Sequence, residues 1–527
     1  MKVRTASFPD RVDGALRWGA ARLRSPLLLW LVPVGVLYAT VRWPSRRVID
    51  VMAAIVALGA LSWAVRRPGR ALVVLVIFLP LQPLLFGGLL RLGVSGTILR
   101  PAGGLKELLA AGILLSALHE LYQGRKRPGA RRRLDGIDKA LLVYVGVATV
   151  YLLVPHLFSV VPVSDKLTAR LLSWRADCGY VLLFFGVRHA PLPPEAKKRF
   201  VQALLAMTVL TVVVGFYEWA FPQAWSHFVL FSDRQVAYQV TVLHNSPATV
   251  ARNLGYLLNR HPFRVGSIFF GPFDMADFLI LGLAITVERI THDVRARWLY
   301  LLCAGIVAML FASRVRADAL AVVIMVVVAL VPAPQRPVTA RLRLLGAIVL
   351  AAVVIAPALG GTRFVNAQGG SESNRGHVTE FKVGVEQLLH YPLGLGIGNV
   401  AGVGDRFVLG ARAQGGFTVD NAVLQVGDEL GVQALVPWLI MVVLVWLALG
   451  RAARSTDPFA GGVRLAFLAI FIAGMYHHVF LGFPVAWVLW AGVALALRAG
   501  STGPVAGPER GASNIEVLAT APSRGPR

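Results

Sequence analysis

The 527-residue sequence holds only two cysteines, Cys178 and Cys303, both inside apolar runs. That excludes a disulfide framework and a cysteine metal site and leaves both as packing residues. Charge is scarce as well, at 15% of residues against about 25% in an average globular chain. Acidic residues are the scarcest, 27 Asp and Glu against 53 Lys and Arg, for a net charge of +26. With 56% hydrophobic residues and a mean hydropathy of +0.65, the chain does not read as water-soluble. Zinc-ligand spacing, a nucleic-acid motif and a convincing internal repeat are all missing. The basic residues fall in short loops instead of on one face with interleaved aromatics, which argues against nucleic acid as a partner. Their excess is instead the pattern of cytoplasmic loops facing anionic lipid.

What is present is a series of apolar runs near the ~20 residues needed to cross hydrocarbon. They fall at 26–41, 48–65, 71–90, 103–122, 139–162, 171–188, 200–221, 274–291, 298–312, 318–333, 343–359, 431–449, 463–481 and 484–498. The expectation is an all-α, polytopic helical membrane protein with about 14 transmembrane helices. Residues 1–25 form a basic cytoplasmic N-terminus, 26–498 the transmembrane domain, and 499–527 a Pro-, Gly-, Ser- and Ala-rich cytoplasmic tail expected to be disordered. No small-residue cleavage site follows the first run, so it reads as an uncleaved helix.

Loop charge gives the orientation. Arg125, Lys126, Arg127, Arg131, Arg132 and Arg133 make the strongest basic cluster and belong in the cytoplasm. Counting from there, the same side receives Arg66 to Arg70, Lys197 to Arg199, Arg289 to Arg297, Arg336 to Arg343, Arg451 to Arg454 and the tail. One loop runs against the count, because Arg42, Arg46 and Arg47 fall on the far side.

Two far-side segments, 222–273 and 360–430, are too long to be turns, and long loops are where function concentrates. In the second, His377, Phe381, Val385, Leu388 and Leu389 recur at helical spacing, with Thr379, Glu380, Lys382 and Glu386 between them. This predicts an amphipathic helix in an extracytoplasmic loop, ended by Pro392. The run Pro392-Leu-Gly-Leu-Gly-Ile-Gly398 then offers backbone able to approach a ligand closely, or else a plain connecting loop.

Polar residues at the far side, close to lipid, form the candidate site. Arg264 precedes the eighth run, Arg314 and Arg316 lie in the hinge Ser313–Asp318, Arg375 and His377 open the amphipathic helix, and Asp420-Asn421 precede the twelfth run. Several guanidinium groups at one lipid boundary suit a phosphate-bearing ligand, because Arg presents a planar fork of donors. Each residue also has a plainer reading. Arg264 would be an interface anchor, Arg314 or Arg316 a hairpin anchor, Arg375 and His377 polar residues at a helix start, and Asp420 a helix cap. His477 and His478 read chiefly as core histidines.

The ordered set Arg264-Val-Gly-Ser-Ile-Phe-Phe-Gly-Pro-Phe, Ser313-Arg314, Arg375-Gly-His377, Pro392 to Gly398, and Asp420-Asn-Ala-Val-Leu-Gln425 through Glu429-Leu-Gly431 resembles the O-antigen ligase and polymerase superfamily of bacterial membrane glycosyltransferases. The match covers roughly residues 260–435. The resemblance implies an enzyme that moves a glycan from an undecaprenyl-diphosphate carrier to a sugar acceptor at the outer face of the bacterial cytoplasmic membrane, without a metal or other cofactor and with inversion. In the ligase branch, whose acceptor is lipid A core, the residue before Asn is usually His; here it is Asp420, with the small Ala434 three positions after Gly431, and an acidic residue before Asn looks more like polymerase or exopolysaccharide members. In that picture Arg264, with Arg314 or Arg316, Arg375 and His377, binds the diphosphate, Asp420 accepts the acceptor's proton, and Asn421 supports it.

Two other classes fit a polytopic chain. A transporter or flippase of lipid-linked saccharide would need polar groups near the bilayer midplane, and interior positions such as Glu107 and Asp177 are few. A non-catalytic envelope scaffold would tolerate neutral substitutions at Arg264 and Asp420.

Overall fold

The computed structural model describes residues 46–94, 99, 102–126, 134–154, 167–229, 264–292, 297–330, 369–400, 421–454, 457–477, 480–481 and 484–499. Each apolar run that falls within them carries a helix, and no strand occurs among the described residues. In chain order these are α1 (Arg46–Arg66), α2 (Pro68–Arg91), α3 (Leu105–Lys126), α4 (Gly136–Leu153), α5 (Leu167–His189), α6 (Ala196–Ala220), α7 (Pro222–Val229), α8 (Pro272–His292), α9 (Arg297–Ser313), α10 (Arg316–Leu330), α11 (Gly369–His390), α12 (Ala422–Leu430), α13 (Val432–Ala452), α14 (Pro458–Ala473) and α15 (Val485–Ala499). The runs at 26–41 and 343–359, the N-terminal segment 1–25 and the tail lie outside the described residues.

Four helices, α2, α4, α6 and α13, are long and apolar enough to cross a membrane. Apolar side chains also point outward from the bundle, among them Leu58, Val213, Leu301, Val323 and Leu447, each more than half exposed. A helix apolar on its outer face as well as its inner one is the pattern of a chain solvated by lipid. The molecule is therefore an all-helical protein with helices suited to a membrane.

Small residues bring the central helices together, as expected where lipid gives no hydrophobic drive between them. A Cβ on Gly461 of α14 would meet Glu288 of α8 at 2.2 Å, and one on Gly462 would meet the Ile285 side chain at 2.8 Å. Aromatic rings fill the space between α5, α13, α14 and α15. Trp490 contacts Tyr180, Phe184, Phe467 and Phe480, while the indole N–H of Trp438 donates to Tyr180 Oη at 2.8 Å.

Ion pairs and hydrogen bonds tie the helix ends together in two groups, one at the starts of α6 and α14 and the other at their ends. At one end Arg188 meets Asp135 and Asp138, Lys197 pairs with Asp457 at 2.8 Å, and Arg498 donates to the carbonyls of Val187, Arg188 and Ala190. Asp135 caps α4 with its side chain and shares a capping box with Asp138. Burial alone would raise the pKa of Asp135, but the Arg188 guanidinium and backbone donors outweigh it and hold the carboxyl below its usual range.

Three sequence expectations change in detail. The run at 463–481 is not one helix: α14 ends at Ala473, followed by an irregular turn in which Met475, Tyr476 and His477 bond back to Ile472 and Ala473. The amphipathic helix is longer than its periodicity showed, starting at Gly369, and Phe381 and Leu389 of its expected apolar face are exposed. Its packed contact is with α12, where Leu388 lies against Gly427.

The glycine run is also not open backbone. It pairs with the end of α12, with Leu395 N donating to Asp428 O at 2.7 Å, Gly396 N to Glu429 O at 3.0 Å and Val432 N to Pro392 O at 2.9 Å. Gly394 and Gly431 both have positive φ, and a Cβ on either would lie within 2.6 Å of the other strand's backbone. The close approach that glycine permits is thus made by the chain to itself.

Candidate functional site

The opposite end of the bundle collects the turns on which the candidate residues lie. Arg264 begins a segment that runs into α8. Val265 N donates to Ala312 O at 3.2 Å, tying this segment to the end of α9. Gly266 and Ser267 donate their backbone N–H groups to the buried Glu218 carboxylate at the end of α6, and Ser267 Oγ donates to Thr211 O at 2.7 Å. A Cβ on Gly266 would meet the Phe270 carbonyl carbon at 2.9 Å, so the glycine in this motif is sterically required. Pro272 then opens α8, where a missing N–H does no harm.

The hinge expected at Ser313–Asp318 is a two-residue connection. α9 ends at Ser313, Arg314 adopts a left-handed conformation with φ 55°, and α10 starts at Arg316. Ser313 Oγ donates to Leu310 O at 2.7 Å and accepts from Val315 N at 3.4 Å, which fixes the turn. Arg264 and Arg314 are half-buried, whereas Arg316 is exposed. Arg314 is therefore the hinge arginine set closer to the protein interior.

Asn421 caps α12, its side-chain oxygen accepting from Val423 N at 3.0 Å and Leu424 N at 3.1 Å. The capping role weighed for Asp420 belongs to this neighbour. Asn421 Nδ2 also donates to Met475 O at 2.9 Å, and Ala422 N to Gly474 O at 2.8 Å. These carbonyls are left free by the end of α14, so the start of α12 and the end of α14 satisfy one another.

Two residues beyond Met475, His477 turns between α8 and α10. Its Nε2 lies 3.1 Å from Asp318 Oδ1 and its Nδ1 3.8 Å from Asp277 Oδ2. The Phe273 ring stands against it at 5.8 Å. Asp277 and Asp318 are buried, and one oxygen of each, Asp277 Oδ1 and Asp318 Oδ2, accepts no hydrogen bond. One donor atom from each of the three side chains lies within 4.8 Å of the other two, a grouping able to hold a metal ion.

The segments carrying Arg264, Arg314, Asn421 and His477 are thus linked by hydrogen bonds. His377 is not among them: its ion partner is Glu380 of its own helix, at 3.7 Å. The backbone at Arg375 is helical, and its side chain lies outside the described part, as do Asp420 and His478.

Sequence reasoning missed Asp277 and gave Asp318 only a place in a hinge. Asp177, Glu218, Asp277, Glu288, Asp318 and Glu429 are all buried. The available signal was an acidic residue within an apolar run, which lipid makes expensive to leave unmatched.

A second buried group is centred on Glu429, near the end of α12. Glu429 Oε1 accepts from Gly398 N at 2.6 Å and from Ser173 Oγ. Burial pushes its pKa up to about 7 against the opposing pull of those two donors. Tyr151 Oη donates to Leu393 O, and Gln433 Nε2 donates to Leu430 O at 2.7 Å, locking the same junction. No protein-family model matches the sequence, and no curated protein matches it.

Proposed function

We propose that this chain is a polytopic glycosyltransferase of about fourteen spans in the bacterial cytoplasmic membrane. It moves a glycan from an undecaprenyl-diphosphate carrier to a sugar acceptor at the outer face, in surface polysaccharide synthesis, and the reaction is polymerase-like or ligase-like. The observation that carries the reading is the linkage of the Arg264 segment to the α9–α10 turn through Val265 and Ala312. It brings two half-buried arginines onto neighbouring turns at the end of the bundle opposite the paired basic residues. The resemblance of the motifs between 260 and 435 to the O-antigen ligase and polymerase superfamily supports the same reading.

In this mechanism the acceptor hydroxyl oxygen attacks the anomeric carbon from the face opposite the carrier. The bond between that carbon and the diphosphate oxygen breaks, and undecaprenyl diphosphate leaves. Arg264 and Arg314 hold the diphosphate and match the negative charge that grows on it, which fixed donors do best in a site with little water. Arg316, exposed beside the turn, and Arg375 and His377 on α11 guide the anionic headgroup toward it. Asp420, next to the capping Asn421, takes the hydroxyl proton, and inversion follows from the single displacement. The segments 222–273 and 360–430 lie on the extracytoplasmic side.

Reconstitution of purified protein with an undecaprenyl-diphosphate oligosaccharide and candidate acceptors tests this. Longer glycans on the carrier indicate polymerisation, and product on a different acceptor indicates ligation. Unchanged yield from both Arg264→Ala and Asp420→Asn would remove the mechanism.

A further inference from the structure

We infer that Asp277, Asp318 and His477 form a binding site for one divalent first-row transition-metal ion, a site that stands whether or not the chain transfers glycan. The three come from the second turn of α8, the first turn of α10 and the turn after α14, and their ligand atoms lie within 4.8 Å of one another. Two carboxylates and a neutral imidazole balance a dication's charge and offer the mixed oxygen and nitrogen donors that such ions accept.

The second observation is independent of this clustering. Asp277 and Asp318 are almost completely buried, 1% and 0% exposed, yet Asp277 Oδ1 and Asp318 Oδ2 accept no hydrogen bond. Among the described residues no other group donates to these oxygens, and the two carboxyls can hydrogen-bond each other only if one carries a proton; a coordinated cation would satisfy both in their ionised form.

The surroundings are those of a held site. Two helices carry the carboxylates, and helix-borne ligands keep their geometry better than loop-borne ones, while His477 sits in a turn whose backbone N–H bonds back to Ala473. Asp318 sits four residues beyond the left-handed Arg314, and the backbone just before His477 is held by Asn421. The ion would therefore brace the turn that carries Arg314 against the start of α12. Motif spacing along the chain hides this, because Asp318 and His477 are 159 residues apart.

Purified full-length protein in detergent, carrying no polyhistidine tag, is stripped with chelator, dialysed and titrated with Mn²⁺ while free ion is followed by electron paramagnetic resonance. The expected result is one tight site per chain. Its affinity should fall at least about tenfold in Asp277→Asn and in His477→Gln, as for other ligand-shell losses. Because these variants can misfold, electron spin-echo spectra of the wild-type protein supply a second reading, in which bound Mn²⁺ shows ¹⁴N modulation from one imidazole. Absence of a tight Mn²⁺ site, binding unchanged in folded variants, or bound Mn²⁺ without nitrogen coupling would each overturn the assignment.

Discussion

The two ends of the bundle are built on opposite rules. At the basic end, cations meet anions or helix-terminal carbonyls: Arg188 with Asp135 and Asp138, Lys197 with Asp457, and Arg498 with the end of α5. The buried Asp138 at the basic end lies beside His189 but is also held by Arg188, whereas at the other end Asp277 and Asp318 are buried beside His477 with no arginine or lysine paired to them among the described residues. The only non-glycine residues with positive φ among the described residues, Ser267, Phe270 and Arg314, all lie there too. Strained backbone of this kind persists where the surroundings over-determine it, and it collects at functional sites. One end is thus made for anchoring and topology, and the other holds groups in places they would not choose.

The sharpest way to break that contrast is to remove one arginine from each end. Arg264→Ala should lower transfer by about two to three orders of magnitude, the usual loss when a donor to transition-state charge is removed. Arg188→Ala should leave turnover per folded molecule unchanged and lower the melting temperature, because it strips the buried Asp138 of a partner. Equal turnover losses would erase the distinction.

A backbone change comes next in size. Gly431→Ala puts a Cβ 2.5 Å from the Leu393 carbonyl carbon at a residue with φ 75°. It should destabilise the α12–α13 junction by about 1–3 kcal/mol, seen as a lower melting temperature in detergent and faster proteolysis near residue 393.

Much of this architecture was legible in the sequence. Apolar length marked the long apolar helices within the described residues, because lipid and core both select the same side chains. The Ser313–Asp318 turn was legible because polar residues interrupt two apolar runs with no room for a longer loop. Asp277 was not, since an acid in the second turn of a helix gives no hint of its partner until α10 and α14 are packed against α8. The glycine run misled for a related reason: glycine reports that something comes close, and only the fold shows that Gly394 approaches Gly431 of the same chain. His477 became visible only when α14 ended at Ala473 and turned its following residues inward.

A pH dependence is expected from Glu429, buried near the end of α12. Its folded pKa of about 7 exceeds its ordinary 4.5. The folded state therefore holds the proton more tightly, and its contribution to stability is complete below about pH 4.5 and lost as pH rises to about 7. Melting temperatures measured across that range should fall more steeply for wild type than for Glu429→Gln. Equal slopes would mean that Glu429 does not titrate there.

The smallest effect belongs to Arg316, exposed at the start of α10. Arg316→Ala should change stability by no more than about 0.5 kcal/mol and should slow transfer far less than Arg264→Ala. A loss as large as that of Arg264→Ala would move the headgroup from Arg314 to Arg316.

We propose that the strained end, and not the paired basic end, receives the carrier's diphosphate. The direct measurement is photocrosslinking of reconstituted protein with an undecaprenyl-diphosphate oligosaccharide that carries a diazirine beside the diphosphate, followed by peptide mapping. Label should appear in 264–273 and 312–318 and be displaced by unlabelled carrier. Label concentrated around Arg188, Lys197 and Arg498 would place the diphosphate at the basic end instead.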